Sequence, residues 1–259
     1  MDLINSTQNK RIRHIKALQT KARLRRSESK FILEGDRLIA DALSSGGKAE
    51  IALYQPDIAD YELIAQLQEG PCALLPVGKA VLQHVSDTQQ APGILAVFQI
   101  PRPRLPKAAE RVLILDGIRE PGNLGAIMRS AAAAGVDLVI LAPACVDPYN
   151  SKVARAAMGA HFRLPLVEAN WREIVAFCQD LTVCAALPGA PTRYTDVSWA
   201  DGWALILGSE AQGVSKRGLD LARHSISIPM MGASESLNVA SAAAVILFEA
   251  QRQVLAICR

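Results

Sequence analysis

Long apolar runs are missing from this chain of 259 residues. The longest mostly apolar stretch, residues 239–248, falls well short of the roughly 20 residues that a membrane-spanning helix needs. The opening MDLINSTQNKRIRHIK holds no apolar centre of a secretory signal. Cysteine is sparse and unpatterned. Cys72, Cys145, Cys178, Cys184 and Cys258 are odd in number and form no C-x-x-C. That excludes a disulfide scaffold and a zinc ribbon, and reads as a reduced, cytoplasmic protein with small buried thiols. His14, His84, His161 and His224 share no ligand spacing, so no metal site is expected. No G-x-G-x-x-G and no G-x-x-x-x-G-K-[ST] occurs, which removes the usual dinucleotide and P-loop fingerprints. Without G-x-S-x-G or H-E-x-x-H, hydrolase and zinc-protease readings lose their main support. There is no internal repeat and no low-complexity tract.

What is present is a charge asymmetry. Residues 1–30 hold nine Lys or Arg against Asp2 and Glu28, a local charge of +7, whereas the whole chain carries +3. A mildly acidic body therefore bears a strongly basic arm, and such an arm favours phosphate-rich partners. In the arm, Ile12, Ile15, Leu18 and Ala22 recur near a helical period with basic residues between them, which predicts one basic amphipathic helix over residues 9–26. A solvated helix and a mitochondrial presequence are the competing readings of the same stretch.

Beyond the arm the pattern alternates. Short apolar runs at 31–33, 51–54, 72–75 and 94–98 read as strands, separated by helical stripes at 38–43, 60–68 and 79–85. This predicts a small α/β domain with a largely parallel sheet. IPRPRLPK (100–107) cannot hold a helix or a central strand, because proline removes a backbone donor and clashes in a helix. The expected organisation is therefore a basic arm at 1–28, a first domain at 29–99, a linker at 100–108 and a second domain at 109–259. The second domain opens on the wholly apolar 112–115, a strand of the kind buried on both faces. It continues as strands near 136–141, 163–166, 181–187, 204–207 and 225–228, alternating with helices near 122–135, 151–160, 171–179 and 238–256.

Three segments of the second domain carry chemistry-bearing residues at strand ends, where open α/β sheets bind ligands. DGIREPGNLGAIMRSAAAAG (116–135) runs from a strand through a Pro-Gly turn into a helix. Asn123 is placed as its cap, and Arg129 stands among small residues where a guanidinium can reach a phosphate. LILGSEAQGVS (205–215) runs from a strand into a loop with Gly208, Gly213 and a lone Glu210. ISIPMMGASESLNVASAAAVILFEA (226–250) breaks at Pro229 and re-enters a helix at Ser236-Leu237-Asn238, a helix start with amides for a polar ligand. Each segment alone is compatible with an ordinary cap or turn.

Taken in order, the three segments resemble the motifs of the SpoU/TrmH family of RNA ribose methyltransferases, in the SPOUT superfamily. The family pattern N-x-G-x-x-x-R falls on Asn123, Gly125 and Arg129. G-x-E-x-x-G falls on Gly208, Glu210 and Gly213. I-P-M and S-L-N-V fall on Ile228-Pro229-Met230 and Ser236-Leu237-Asn238-Val239. The likeness spans residues 111–256. FILEG (31–35) with Asp36-Arg37-Leu38 is similar to the opening of the family's ribosomal-protein-like RNA-binding domain, and Asn9-Lys10-Arg11-Ile12-Arg13 resembles a subgroup acting on large-subunit rRNA. Ala157 departs from the serine frequent in the family, and GSEA replaces the frequent GNEG.

The resemblance implies a C-terminal α/β domain with a parallel sheet and a deep trefoil knot, an obligate homodimer, and S-adenosylmethionine as cofactor with no metal. It implies methyl transfer to a ribose 2′-hydroxyl, with Arg129 catalytic and Asn123, Glu210, Ser236 and Asn238 shaping the pocket. Leu207, Gly208, Ile228, Met230, Leu237 and Asn238 are then the cofactor-binding positions, acting mainly through backbone groups. Lys10, Arg11, Arg13, Arg23, Arg25, Arg26 and Arg37 are the candidate RNA contacts. Large-subunit rRNA is the expected substrate, because family members acting on tRNA often lack the upstream domain. A tRNA enzyme, a non-catalytic ribosome-assembly protein of the same fold and a nucleotide-dependent oxidoreductase are the alternatives. Arg129 is either a base or a phosphate clamp, and its strong basicity favours the clamp.

Overall fold

The computed structural model describes residues 3–101, 109–232 and 236–257, so most of the expected linker and Cys258 lie outside the described residues. The chain forms two compact units. The first comprises residues 3–101 together with 147–162, and the second comprises 109–146 and 163–257. The expected second domain is therefore not one continuous stretch, because residues 147–162 fold with the first unit.

In the first unit the elements are α1 (Lys10–Thr20), α2 (Ala22–Glu28), β1 (Lys30–Glu34), α3 (Asp36–Ser44), β2 (Ala49–Tyr54), α4 (Tyr61–Gln68), β3 (Ala73–Pro76), α5 (Lys79–Val85) and β4 (Ile94–Gln99). Their sheet has the order β1-β4-β2-β3. It is not largely parallel: β4 runs antiparallel to both β1 and β2, and only β2 and β3 are parallel. Strand–helix alternation predicts crossovers, but it does not reveal that the last strand inserts between two earlier ones in the opposite direction. Both faces are buried. Phe31, Leu33, Ala96 and Phe98 belong to one core cluster, and Ile32, Leu95 and Val97 to the other. This is the period-2 signature of a sheet covered on two sides.

The basic arm is part of this unit and consists of two helices. Ile12, Ile15 and Leu18 are almost wholly excluded from solvent and pack with Val81, Leu82 and Val85 of α5. The Thr20 hydroxyl donates back to the Lys16 carbonyl, and Lys21 turns extended, which ends α1. Arg25 fills the break. Its guanidinium donates to the carbonyls of Leu18 and Gln19 at 2.6 and 2.9 Å, satisfying acceptors that the end of α1 leaves open, and it holds Asp147 at 2.6 Å. Arg25 is only 5% exposed, so it is a structural staple and not the exposed phosphate contact expected from the sequence.

The inserted stretch brings α7 (Ser151–Ala157) and a 3-10 turn (Ala160–Phe162). Buried Glu34 accepts from Gln19, from the Ser86 hydroxyl at 2.7 Å and from the Asp87 amide. Arg155 reaches Asp87 at 3.2 Å, and the Ser151 hydroxyl donates to the same carboxylate at 2.6 Å. Burial acts to raise the Asp87 pKa, but the bonds from Ser151 and Arg155 outweigh it and hold the carboxyl below its ordinary range. Ala157, the departure from the family serine, is fully buried. His161 lies among Phe31 and Tyr149, with Nε2 at 2.7 Å from the Pro148 carbonyl. Burial pushes its pKa down to about 4, against the raising effects of that carbonyl and of Asp147.

The second unit holds β5 (Arg111–Asp116), α6 (Pro121–Ala133), β6 (Leu138–Leu141), β7 (Leu166–Glu168), α8 (Trp171–Phe177), β8 (Thr182–Ala186), β9 (Thr192–Arg193), β10 (Trp203–Gly208), α9 (Lys216–Leu221), β11 (His224–Ser227) and α10 (Val239–Ile257). The sheet order is β7-β6-β5-β10-β8-β11-β9, and every pairing is parallel, as expected. Ile114, Ile140, Ala185 and Ile206 face one cluster with Trp171 and Ile174 of α8. On α10, Ala243, Ile246, Leu247 and Ala250 are buried, and the helix packs on α6 and β10. By length and composition alone α10 is apolar enough to cross a membrane. The apolar run of ten residues is extended by small and mixed positions into a helix of 19.

Candidate active site

The sheet order places β10 between β5 and β8, and the loops leaving the C-terminal ends of β8, β10 and β11 meet the start of α10. They enclose a cavity of about 450 Å³. Leu207 and Gly208 line it from β10, Ile228 and Met230 from the chain after β11, and Leu237 and Asn238 from the start of α10. All six sequence-predicted cofactor positions thus meet at one cavity. Gly208 is required there sterically, since a Cβ would stand 2.0 Å from the backbone carbon of Gly213. The chain folds back on itself as a tight turn: Gly213 and Ser209 exchange backbone hydrogen bonds of 2.8 and 3.1 Å, which leaves Glu210 at the tip.

Asn123, Glu210 and Asn238 come together at this rim. Asn123 Nδ2 donates to Glu210 Oε1, and Asn238 Nδ2 donates to Asn123 Oδ1 at 3.0 Å. The Asn238 side-chain oxygen accepts from the Ala240 amide at 2.9 Å, so one side chain both caps α10 and orients Asn123. Asn123 is not the cap of its own helix. Pro121 opens α6 behind Glu120, because proline's missing donor costs nothing at the first helical position. That shift of register frees the Asn123 amide for the site. Ser236 also lines the cavity. Arg129 does not: it stands exposed on α6 and makes no hydrogen bond or ion pair among the described residues.

Sequence reasoning missed two supports. Asp116, buried at the end of β5, accepts from the Ser215 amide at 2.7 Å and so anchors the far end of the Glu210 loop. Leu187 and Pro188, after β8, form a further wall of the cavity. The Leu-Pro-Gly at a strand end is the available signal for the wall, whereas no local pattern marks the pairing of Asp116 with a residue 99 positions away. Among the described residues no group of acidic, His or Cys side chains has metal-site geometry.

The fold and the cavity define an α/β protein with a candidate ligand site in the loops after its parallel strands. Residues 110–248 match the SpoU rRNA Methylase family, and residues 9–96 match the MRM3-like substrate binding domain. The chain is 33% identical over 253 residues to the 23S rRNA (guanosine(2553)-2'-O)-methyltransferase RlmP of Bacillus subtilis, covering 96% of this chain and 98% of that one. An AdoMet-bound rRNA methyltransferase from Sinorhizobium meliloti superposes with a TM-score of 0.86 at 28% identity, covering 98% of each chain. A TrmH/SpoU tRNA modifying enzyme of A. aeolicus is similar over only 58% of this chain and 78% of its own, with a TM-score of 0.53 and 25% identity. The chain belongs to the SpoU rRNA methylase family. It is an RNA methyltransferase whose methyl donor is S-adenosylmethionine.

Proposed function

We propose that this protein methylates a ribose 2′-hydroxyl of large-subunit rRNA, acting as a cytoplasmic homodimer whose cofactor loops form a trefoil knot. The observation that carries the reading is the Asn238–Asn123–Glu210 chain at the mouth of a cavity lined by all six cofactor positions. Support for rRNA comes from the MRM3-like substrate binding domain at residues 9–96 and from the rRNA enzyme's likeness over 98% of this chain, against 58% for the tRNA enzyme. The four cysteines among the described residues are free, which suits a reducing compartment. Support for a dimer comes from α10, which exposes Val245, Phe248 and Leu255, and from α6 beside it, with exposed Arg129 and Ala133.

The cavity fits the cofactor. Its volume is in the range of small-molecule sites, and its apolar walls leave recognition of the adenosyl group to the backbone of Leu207, Gly208, Ile228 and Leu237. When bound, S-adenosylmethionine supplies a sulfonium-activated methyl group. What remains for the protein is to hold the ribose oxygen in line and favour loss of its proton. Arg129 clamps the adjacent phosphate, which orients the 2′-hydroxyl and stabilises the developing oxyanion. Asn123 fixes the Glu210 carboxylate at the rim.

The test is incubation of the purified protein with tritiated S-adenosylmethionine and total RNA from a strain lacking it. Label in large rRNA, alkali-resistant at one dinucleotide, is the expected outcome. Label confined to tRNA would overturn the substrate.

A further inference from the structure

The first unit contains a second cavity, of about 560 Å³, at the end of the sheet where β1 and β2 begin and β4 ends. Its construction is irregular in a consistent way. The register of β2 on β4 passes from Ala49 opposite Phe98 to Ile51 opposite Val97, which leaves Glu50 as an extra, bulged residue. Bulges re-aim side chains and are frequent beside functional sites. Here the bulge turns the Glu50 carboxylate to accept from Lys30 at 2.7 Å and from Gln99 Nε2 at 2.9 Å. Ser29 on the opposite wall is left-handed at φ 53°, rare for a residue with a side chain. Gly47 passes so close to the Phe162 ring that a Cβ would stand 2.9 Å from Cε1. Phe162 is half-buried, backed by Phe31 and Phe98 at ring-centroid distances of 5.8 and 5.7 Å, and lines the cavity.

We propose that this cavity receives one unpaired RNA base, stacked on Phe162 and read through its exocyclic amino group; the inference rests on the RNA-methyltransferase reading above. The chemistry of the walls selects the ligand. Glu28, which holds His14 through one oxygen, Glu50, which holds Lys30 and Gln99, and the Gln99 side-chain oxygen are acceptors, because Gln99 spends its Nε2 on Glu50. A phosphate has no place among two carboxylates, whereas a base with N–H donors does. Lys48 is exposed at the rim, with no side-chain partner among the described residues, and takes the phosphate of the same nucleotide. Adenine, cytosine and guanine carry the amino group, and uracil lacks it. Stacking on one aromatic ring contributes about 1–3 kcal/mol per base, which is roughly 5- to 150-fold in affinity.

The experiment is fluorescence anisotropy of labelled single-stranded hexamers of A, C and U with the full chain at fixed salt. The wild type is expected to bind the A and C hexamers several-fold more tightly than U. Phe162→Leu, which keeps an apolar packing group, should weaken every hexamer by about 10-fold. Gln99→Ala, at an exposed position, should bring A and C down to the U affinity and leave U unchanged. Equal binding of the three hexamers by the wild type, or a Gln99→Ala protein with unchanged preference, would overturn the proposal. Methyl transfer by the wild type, measured in parallel, separates the two readings. A chain that methylates rRNA without base preference in hexamers keeps its function and loses this site. A chain with the preference but no transfer keeps the site and loses the function.

Discussion

Arg25 and Arg129 show how differently the two units use the same residue type. In the first unit, Arg25 is buried and makes four hydrogen bonds, two to helix carbonyls and two to Asp147. In the second, Arg129 is exposed and has no partner among the described residues, on a helix whose Asn123 is fully committed to Glu210 and Asn238. The first arginine holds a fold, and the second stands ready for a ligand. More generally, the first unit combines one largely buried ion pair, Arg25–Asp147, with exposed cations on the same two helices. The second unit keeps its sheet apolar and places its polar groups on loops after the strands. Charge counted along the sequence does not distinguish these roles, but burial and partners do.

The largest effect that would sharpen this contrast is in the second unit. Arg129→Ala should lower the single-turnover methyl-transfer rate by about 100-fold or more while S-adenosylmethionine affinity, measured by calorimetry, stays within twofold. Near-normal turnover of Arg129→Lys would show that a point charge suffices and the guanidinium fork is not needed. In the first unit, Arg25→Met leaves Asp147, whose side chain is only 12% exposed, without its ion pair and should cost about 3 kcal/mol in urea unfolding. Arg23→Gln, exposed on the same helix, should change stability by less than about 0.5 kcal/mol and reduce the salt slope of RNA binding by about one. Equal stability effects of the two substitutions would break the comparison.

A smaller effect follows from His161. Its folded pKa of about 4 lies below the ordinary 6.5, so the folded state favours the neutral ring. The stability this contributes is fully present above about pH 6.5 and is lost as pH falls toward 4. The full loss is on the order of 3 kcal/mol. Urea midpoints between pH 7 and 5 should fall, and His161→Phe should flatten that fall. Smaller again, Asn238→Asp keeps the α10 cap but cannot donate to Asn123. Its melting temperature should stay within a few degrees of wild type while transfer slows, whereas Asn238→Ala loses about 1 kcal/mol as well.

The parallel sheet of the second unit is legible in the sequence because its strands are continuous apolar runs, such as Leu113–Leu115, ending in polar loops. The cofactor positions are legible through three concurrent motifs, and the cavity gathers them. Other features depend on distant contacts. The strand direction of β4 is fixed by pairing, and β-period alternation reads the same in both directions. The break at Lys21 depends on Arg25 finding Asp147, 122 residues away. The inward turn of residues 147–162 leaves no mark in local propensity, since α7 reads as an ordinary helix wherever it packs. Asn123 stands out in the sequence as a helix cap, but its role in the fold is different. Pro121 moves the helix cap back from Asn123 to Glu120 and makes Asn123 a link between Glu210 and Asn238.

The most direct test of the division between the units is the kinetics of a variant with Lys10, Arg11, Arg13, Arg23 and Arg26 all changed to Gln, on an rRNA fragment shown to be methylated. If the arm supplies affinity and the second unit the chemistry, KM for RNA rises by at least tenfold and loses most of its salt dependence. The single-turnover rate at saturating RNA then stays within twofold of wild type. A single-turnover rate that falls in proportion, with KM unchanged, would contradict that division.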